Sequence, residues 1–151
     1  MAFDTQAFLT TSGVAKISGQ YGRNETIFTP GDACETVLYI QTGGVRLSVQ
    51  SNTGEEALVA TLGPGEFFGE SCLVGQPFRI GSATAITPST ILTIAKHTMA
   101  RLLRQERGMA DRFISHMLSR NIHMEEDLIV QLAGYRSERI GSSLAARRAG
   151  R

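Results

Sequence analysis

The residues best suited to chemistry lie in one segment, Gly63–Ala83, which combines several glycines with a carboxylate and an arginine. The glycines allow tight turns and a close approach of the backbone to a ligand. One helical turn over Ser71–Val74 would point N–H groups at an anion. Arg79 can clamp an anion through two N–H groups, and Glu70 can accept a hydroxyl hydrogen. The pattern suits a ligand with a phosphate and a sugar hydroxyl, but it also fits glycine-rich turns with a weak surface ion pair.

Motifs in and around this segment resemble one family in their order and spacing. They are, in chain order, Ile27–Asp32, Tyr39–Leu47, Phe68–Glu70 and Pro77–Arg79. They are similar to the opening turn, a strand pair and the phosphate-binding cassette of cyclic-nucleotide-binding domains. The resemblance covers roughly Phe28 to Leu132 and is strongest to the bacterial CRP/FNR regulators. We refer below to Phe68–Gly81 as the cassette.

The resemblance implies a small anionic effector, with cyclic AMP or cyclic GMP as the candidates and no other cofactor. It implies that Gly69 contacts the ligand through its own backbone, that Glu70 contacts the ribose hydroxyl and that Arg79 contacts the cyclic phosphate. Where the family normally has Ser or Thr after the arginine, this chain has Ile80, followed by Gly81. Loss of one hydroxyl contact costs about 0.5–1.5 kcal/mol, so we expect weak, altered or absent binding. The expected ligand-binding residues are Phe68, Gly69, Glu70, Ser71, Cys72, Leu73, Arg79, Ile80 and Gly81.

Length and composition set the broad class. The chain has 151 residues, of which 42% are hydrophobic, enough for one packed domain. Its net charge of +1 is too small to attract the whole chain electrostatically to nucleic acid or to an acidic membrane. Cys34 and Cys72 form neither a disulfide framework nor a zinc pair, which indicates a reducing compartment. Without an apolar run of ~18 residues or a signal sequence, the expected location is cytoplasmic, away from membranes.

The organisation along the chain predicts a mainly β protein with C-terminal α structure. Residues 1–22 form a lead-in, with a short helix expected near Thr5–Leu9. Residues 23–108 contain short apolar runs between glycine-bearing turns, typical of a small sandwich or jelly-roll barrel. Alternation in Val45–Val49 predicts a strand with Val45, Leu47 and Val49 on its buried face. With the resemblance, the expected fold is a double-stranded β-helix (jelly-roll) barrel of the cyclic-nucleotide-binding type, followed by a long dimerisation helix.

The third predicted segment, residues 109–134, begins after a helix break near Glu106–Gly108. Met109–Ala133 contains neither proline nor glycine, so a helix approaching 40 Å is expected at ~1.5 Å per residue. Apolar residues form two neighbouring rows, one for the barrel and one for a symmetric partner helix. Both rows packing on the barrel is the alternative. The resemblance makes this helix the dimer seam, with interface candidates Phe113, Ile114, Met117, Asn121, Met124 and Leu128.

The last segment, residues 135–151, carries five arginines and few large apolar residues. A complete CRP/FNR regulator would continue here into a winged helix-turn-helix, which needs several tens more residues. We therefore expect only non-specific attraction to DNA from this tail, falling steeply with salt. Sequence-specific DNA binding is expected only if the missing helix-turn-helix is supplied.

Two function classes follow. The first is the effector-sensing domain of a CRP/FNR-type transcriptional regulator that dimerises through its long helix. The alternative is a ligand-free dimerisation module that pairs with a complete paralogue and modulates it. A metal-dependent barrel enzyme would need histidines inside the barrel, but His97, His116 and His123 all lie in the helical part. We therefore expect no metal site, no catalytic residues and no enzymatic activity.

Overall fold

The computed structural model describes residues 3–14 and 17–120 of the chain. Three expected seam positions, Asn121, Met124 and Leu128, and the basic tail lie outside these described residues. The chain divides into two units, Met1–His116 and Met117–Arg151, and the barrel belongs to the first.

Within the described residues, short strands form two four-stranded antiparallel sheets. The strands are β1 Ile17–Tyr21, β2 Thr26–Phe28, β3 Thr36–Thr42, β4 Val45–Gln50, β5 Glu56–Leu62, β6 Phe67–Phe68, β7 Ser82–Ala85 and β8 Ser89–Ala95. One sheet has the order β1-β8-β3-β6 and the other the order β2-β7-β4-β5. Non-consecutive neighbours in both sheets mean that the chain crosses between them repeatedly. This confirms the predicted mainly β fold.

The hydrophobic core receives side chains from both sheets. One cluster of buried core residues consists of Leu38, Ile40, Val45, Leu62, Phe68, Ala83 and Ile91. Burial of a side chain the size of leucine or phenylalanine stabilises the folded state by about 1.5–3 kcal/mol. Phe68, the first residue of the cassette, belongs to this cluster, so the core fixes where the cassette starts.

Strand β4 departs from its predicted alternation. Ser48 is 2% exposed and Val49 is 39% exposed, so the prediction that Val49 lies on the buried face is wrong. The pairing with β5 shifts between Leu47 and Ser48, where β5 supplies one extra residue, Val59. Such a bulge bends the strand and redirects side chains near it.

Three α-helices flank the strands in the described part. Helix α1, Thr5–Thr11, begins at Asp4, whose side chain accepts a hydrogen bond from Ala7 N at 3.0 Å. Helix α2, Lys96–Gln105, buries Met99 and Leu102 and ends at Glu106. The third helix, α3, then occupies residues 107–120, up to the last described residue. The predicted break is thus confined to Glu106, and no described helix is long and apolar enough to cross a membrane.

Helix α3 buries one face and exposes another. Met109 is fully buried, and Phe113 is 8% exposed with its ring edge-on to Phe67 at a centroid distance of 5.3 Å. Phe113 therefore packs in its own barrel, which differs from the expectation that it faces a partner. Ile114 and Leu118 are 55% and 60% exposed. Since residues four apart share a helix face, these two form one exposed apolar row.

Candidate functional site

A cavity of about 150 Å³ lies beside the short 3₁₀ helix Glu70–Val74. This helix is the single turn expected in the cassette. The cassette positions that line the cavity are Gly69, Glu70, Ser71, Arg79, Ile80 and Gly81. The fold therefore brings together the expected acid, the arginine and most of their neighbours. Three other expected ligand-binding residues, Phe68, Cys72 and Leu73, do not belong to the lining.

Arg79 is a buried part of the cavity wall, with only 5% of its surface exposed. Its Nη1 donates to the Gly69 carbonyl at 2.7 Å, and its Nη2 donates to the Thr36 carbonyl at 2.8 Å and to Thr36 Oγ1 at 3.3 Å. Its Cζ lies 4.4 Å from the ring centroid of Phe28, a cation–π contact. The guanidinium is thus held in place by the protein itself before any ligand arrives.

The opening turn of the barrel positions the backbone of this arginine. Arg79 N donates to the Asp32 carbonyl at 2.8 Å, and Gly31 N donates to the Arg79 carbonyl at 2.8 Å. The Asp32 side chain in turn accepts a hydrogen bond from Thr29 N at 3.0 Å. Gly31 has a φ of +94°, which glycine adopts without strain. Two motifs some fifty residues apart in the sequence therefore form one structural unit.

Gly69 meets a stricter requirement than the other cassette glycines. Its φ is +72°, in the left-handed region that disfavours residues with a Cβ. A Cβ placed there would lie 2.7 Å from Leu38 Cδ1 and 2.8 Å from Arg79 Nη1. Any side chain at this position would therefore displace the arginine or the core leucine.

Two buried thiols lie near the arginine, and one of them contacts the groups that hold it. The Cys72 thiol lies 3.5 Å from the Thr36 carbonyl and 3.8 Å from the Gly69 carbonyl, the two acceptors that Arg79 also uses. Cys34 Sγ lies 3.4 Å from Ser71 Oγ. Burial is the main reason that the pKa of Cys72 rises to about 11. A thiol with so high a pKa stays protonated and unreactive near neutral pH, so we interpret Cys72 as a packing residue. Cys34 is also buried, and we interpret it in the same way.

The outer part of the cavity is apolar and open to solvent. Ile80 is 72% exposed although it follows the buried Arg79 directly. Gly81 has no room for a side chain, because a Cβ would lie 2.7 Å from the Ser48 carbonyl. Across from them, Val49 and Val59 are 39% and 36% exposed.

Half of the lining was not predicted from the sequence. The missed residues are Phe28, Leu47, Ser48, Val49, Val59 and Ser82. Ser82 adjoins the predicted site, and Phe28 belongs to the quoted opening turn, so adjacency and aromatic character were available signals for these two. The four residues from β4 and β5 carry no local signal, because their position depends on the pairing of β4 with β7 and on the bulge at Val59.

The charge of Arg79 is not balanced by an acid of the described chain. Among the described residues, no Asp or Glu oxygen lies within 4.0 Å of its guanidinium. A buried cation without an ion-pair partner is costly, and bound anions relieve that cost. The described residues contain no group of three or more metal-ligating side chains.

Comparison with known proteins gives a consistent result. A family model described as the cyclic nucleotide-binding domain matches residues 18–106. The chain is 30% identical over 119 residues to the cyclic AMP receptor protein of Thermus thermophilus, covering 79% of this chain and 54% of that protein. It is 32% identical over 129 residues to the global nitrogen regulator of Synechococcus elongatus, covering 84% and 56%. The chain thus spans about half the length of these relatives.

Solved structures agree on the fold. The catabolite activator protein of Thermus thermophilus superposes with a TM-score of 0.62 at 29% identity, covering 79% of this chain and 55% of that one. The c-di-GMP-responsive regulator CLP of Xanthomonas campestris superposes with a TM-score of 0.76, covering 93% and 70%. Its identity of 18% means that this second likeness bears on the fold alone.

Proposed function

This chain belongs to the cyclic nucleotide-binding domain family, and we propose that it is the effector-sensing domain of a CRP/FNR-type regulator. In this role it binds a small anion in the cassette and passes the binding event to a dimer partner. The observation that carries the proposal is the buried Arg79 guanidinium on the wall of the cavity. The relatives named above are regulators, which supports a regulatory role rather than a catalytic one.

The state of Arg79 supports anion binding. At most three of its five N–H groups take part in hydrogen bonds within the described residues. The carbonyls of Gly69 and Thr36 fix the plane of the guanidinium, so an incoming anion orders no long side chain. Such preorganisation strengthens binding because the entropy of the side chain is already lost.

The test uses Arg79→Lys, which keeps the charge and loses the planar fork. We expect its affinity for an anionic effector, cyclic AMP or cyclic GMP first, to fall at least tenfold in titration calorimetry. Arg101→Lys, on the exposed surface of α2, is the matched control and leaves affinity unchanged. An Arg79→Lys protein that is folded and binds as tightly as the unmodified chain would remove Arg79 from the site.

The proposed dimer rests on the exposed row of α3. Ile114 and Leu118 remain accessible while Phe113 is already used by the barrel. A symmetric partner helix would cover them and release water from two apolar side chains on each side. The same row also supports the second candidate, a module that pairs with a complete paralogue.

Light scattering at tens of micromolar separates these possibilities. We expect a homodimer, converted by Ile114→Glu into a folded monomer, because a charge at an apolar seam is desolvated without a partner. Ser115→Glu adds the same charge at the neighbouring exposed position of α3 and should leave the dimer intact. A monomeric unmodified chain would contradict the homodimer and favour pairing with another protein.

A further inference from the structure

We propose that the cavity selects a small carboxylic acid with a compact apolar body over a cyclic nucleotide, and that Ile80 sets this preference. The inference rests on the proposed anion-sensing function and narrows the class of effector. Three properties of the described site carry it: the donors that Arg79 still offers, the hydroxyl missing beside it, and the size and polarity of the cavity.

The donors match a carboxylate. Arg79 is 95% buried, since only 5% of its surface is exposed, and its recorded hydrogen bonds leave at least two of its five N–H groups for a ligand within the described residues. A carboxylate is satisfied by two charge-assisted N–H bonds from one guanidinium. The ligand would also supply the negative charge that no described acid brings within 4.0 Å.

The donors fall short of what a cyclic phosphate needs. A cyclic phosphodiester can take the same two N–H bonds from the guanidinium, so discrimination against it depends on the donors beside the arginine. Neither Ile80 nor Gly81 provides a hydroxyl beside Arg79. A buried acceptor left without its donor is penalised strongly, which is the usual basis for rejecting a polar ligand.

The cavity also favours a compact apolar body. Its volume of about 150 Å³ is near that of a protein cavity that holds benzene and below the ~300–1,000 Å³ typical of sites for larger ligands. Its apolar lining side chains are Phe28, Leu47, Val49, Val59 and Ile80. One ring or a short branched chain fills this space, whereas a base with its ribose phosphate extends from it into solvent and buries a smaller share of its surface.

Titration calorimetry on the full chain compares benzoate, 3-methylbutanoate and cyclic AMP at equal ionic strength. We expect one of the two acids to bind at least tenfold more tightly than cyclic AMP. Benzyl alcohol, a neutral control of similar size, should bind at least tenfold more weakly than benzoate because it lacks the charge. Cyclic AMP binding more tightly than both acids overturns this inference and leaves anion sensing intact. Binding of none of the anions at millimolar concentration overturns both proposals.

Ile80→Ser tests the role of Ile80, because it should change the affinity for cyclic AMP and the affinity for the acid in opposite directions. The added hydroxyl should strengthen cyclic AMP binding about tenfold. The lost apolar wall should weaken binding of the acid several-fold. Ile80 is 72% exposed, so the variant should fold, and Leu58→Ser, at a 59% exposed position outside the cassette and the lining, should change neither affinity. If both affinities change in the same direction, or neither changes, Ile80 does not set the preference.

Discussion

Arg79 and Ile80 are adjacent in the chain and occupy opposite environments. Arg79 is 5% exposed and held by two carbonyls and an aromatic ring, while Ile80 is 72% exposed. The inner end of the cavity therefore helps to stabilise the fold, whereas the side chains at its outer rim contribute little to stability. Substitutions at the inner end change stability and binding together, whereas the rim can change its ligand preference at little cost to the fold. The predictions below test that contrast.

The largest effect is expected at the inner end. Arg79→Ala leaves the carbonyls of Gly69 and Thr36 without their donors and removes the contact with Phe28, so the free energy of unfolding should fall by about 2–4 kcal/mol. Urea denaturation measures it. Arg101→Ala, on the exposed side of α2, should change it by less than about 0.5 kcal/mol. An Arg79→Ala protein as stable as the unmodified chain would mean that the arginine does not stabilise the fold.

Gly69→Ala should have the next largest effect and lower the free energy of unfolding by about 2–3 kcal/mol. The reason is that the alanine would combine a left-handed φ with close contacts to Leu38 and Arg79. Gly75→Ala provides the matched control. Gly75 has a φ of +90°, and no atom lies within 4 Å of the Cβ that alanine would add. The expected fall of about 1 kcal/mol in the free energy of unfolding therefore measures the backbone strain of a positive φ alone. Equal losses in the two variants would show that the crowding at Gly69 is relieved without cost.

Cys72→Ala should cost about 1 kcal/mol at pH 7, and this cost should shrink at high pH. The thiol ionises near its ordinary pKa of 9.0 in the unfolded chain and near pKa 11 in the folded one. The folded state therefore holds the proton longer, and the unmodified chain loses this stability as pH rises from about 9 to 11. Denaturation of both proteins across that range measures the difference. If the difference in the free energy of unfolding between the two proteins does not change with pH, the Cys72 thiol is in contact with solvent.

The smallest effect is expected at the rim. Ile80→Val should change the free energy of unfolding by less than about 0.5 kcal/mol, because the side chain is mostly exposed. Ile91→Val removes the same methylene from a residue that is 0% exposed and should cost about 0.5–1.5 kcal/mol. Thermal or urea denaturation of the pair compares rim and core directly. A larger loss at Ile80 would show that the rim is packed more tightly than its exposure indicates.

Local patterns in the sequence predicted much of this molecule. Glycine-bearing turns and alternating apolar residues predicted the β-rich barrel, and the turn over Ser71–Val74 is part of the observed 3₁₀ helix. These features depend on neighbours within a few residues, so the sequence carries them directly. Val49 shows the limit, because a bulge in the partner strand leaves it partly exposed in spite of its alternation.

The sequence by itself indicated which residues could carry the site's chemistry: Glu70, Arg79, the glycines around them, and Ile80 where the family that the chain resembles normally has a hydroxyl. Only the tertiary structure decided what Arg79 does before a ligand arrives. Its acceptors and its aromatic contact, Thr36, Gly69 and Phe28, are supplied by different parts of the chain. Long-range pairing of strands brings them together, and no spacing within the cassette encodes the direction in which a flexible side chain is finally held.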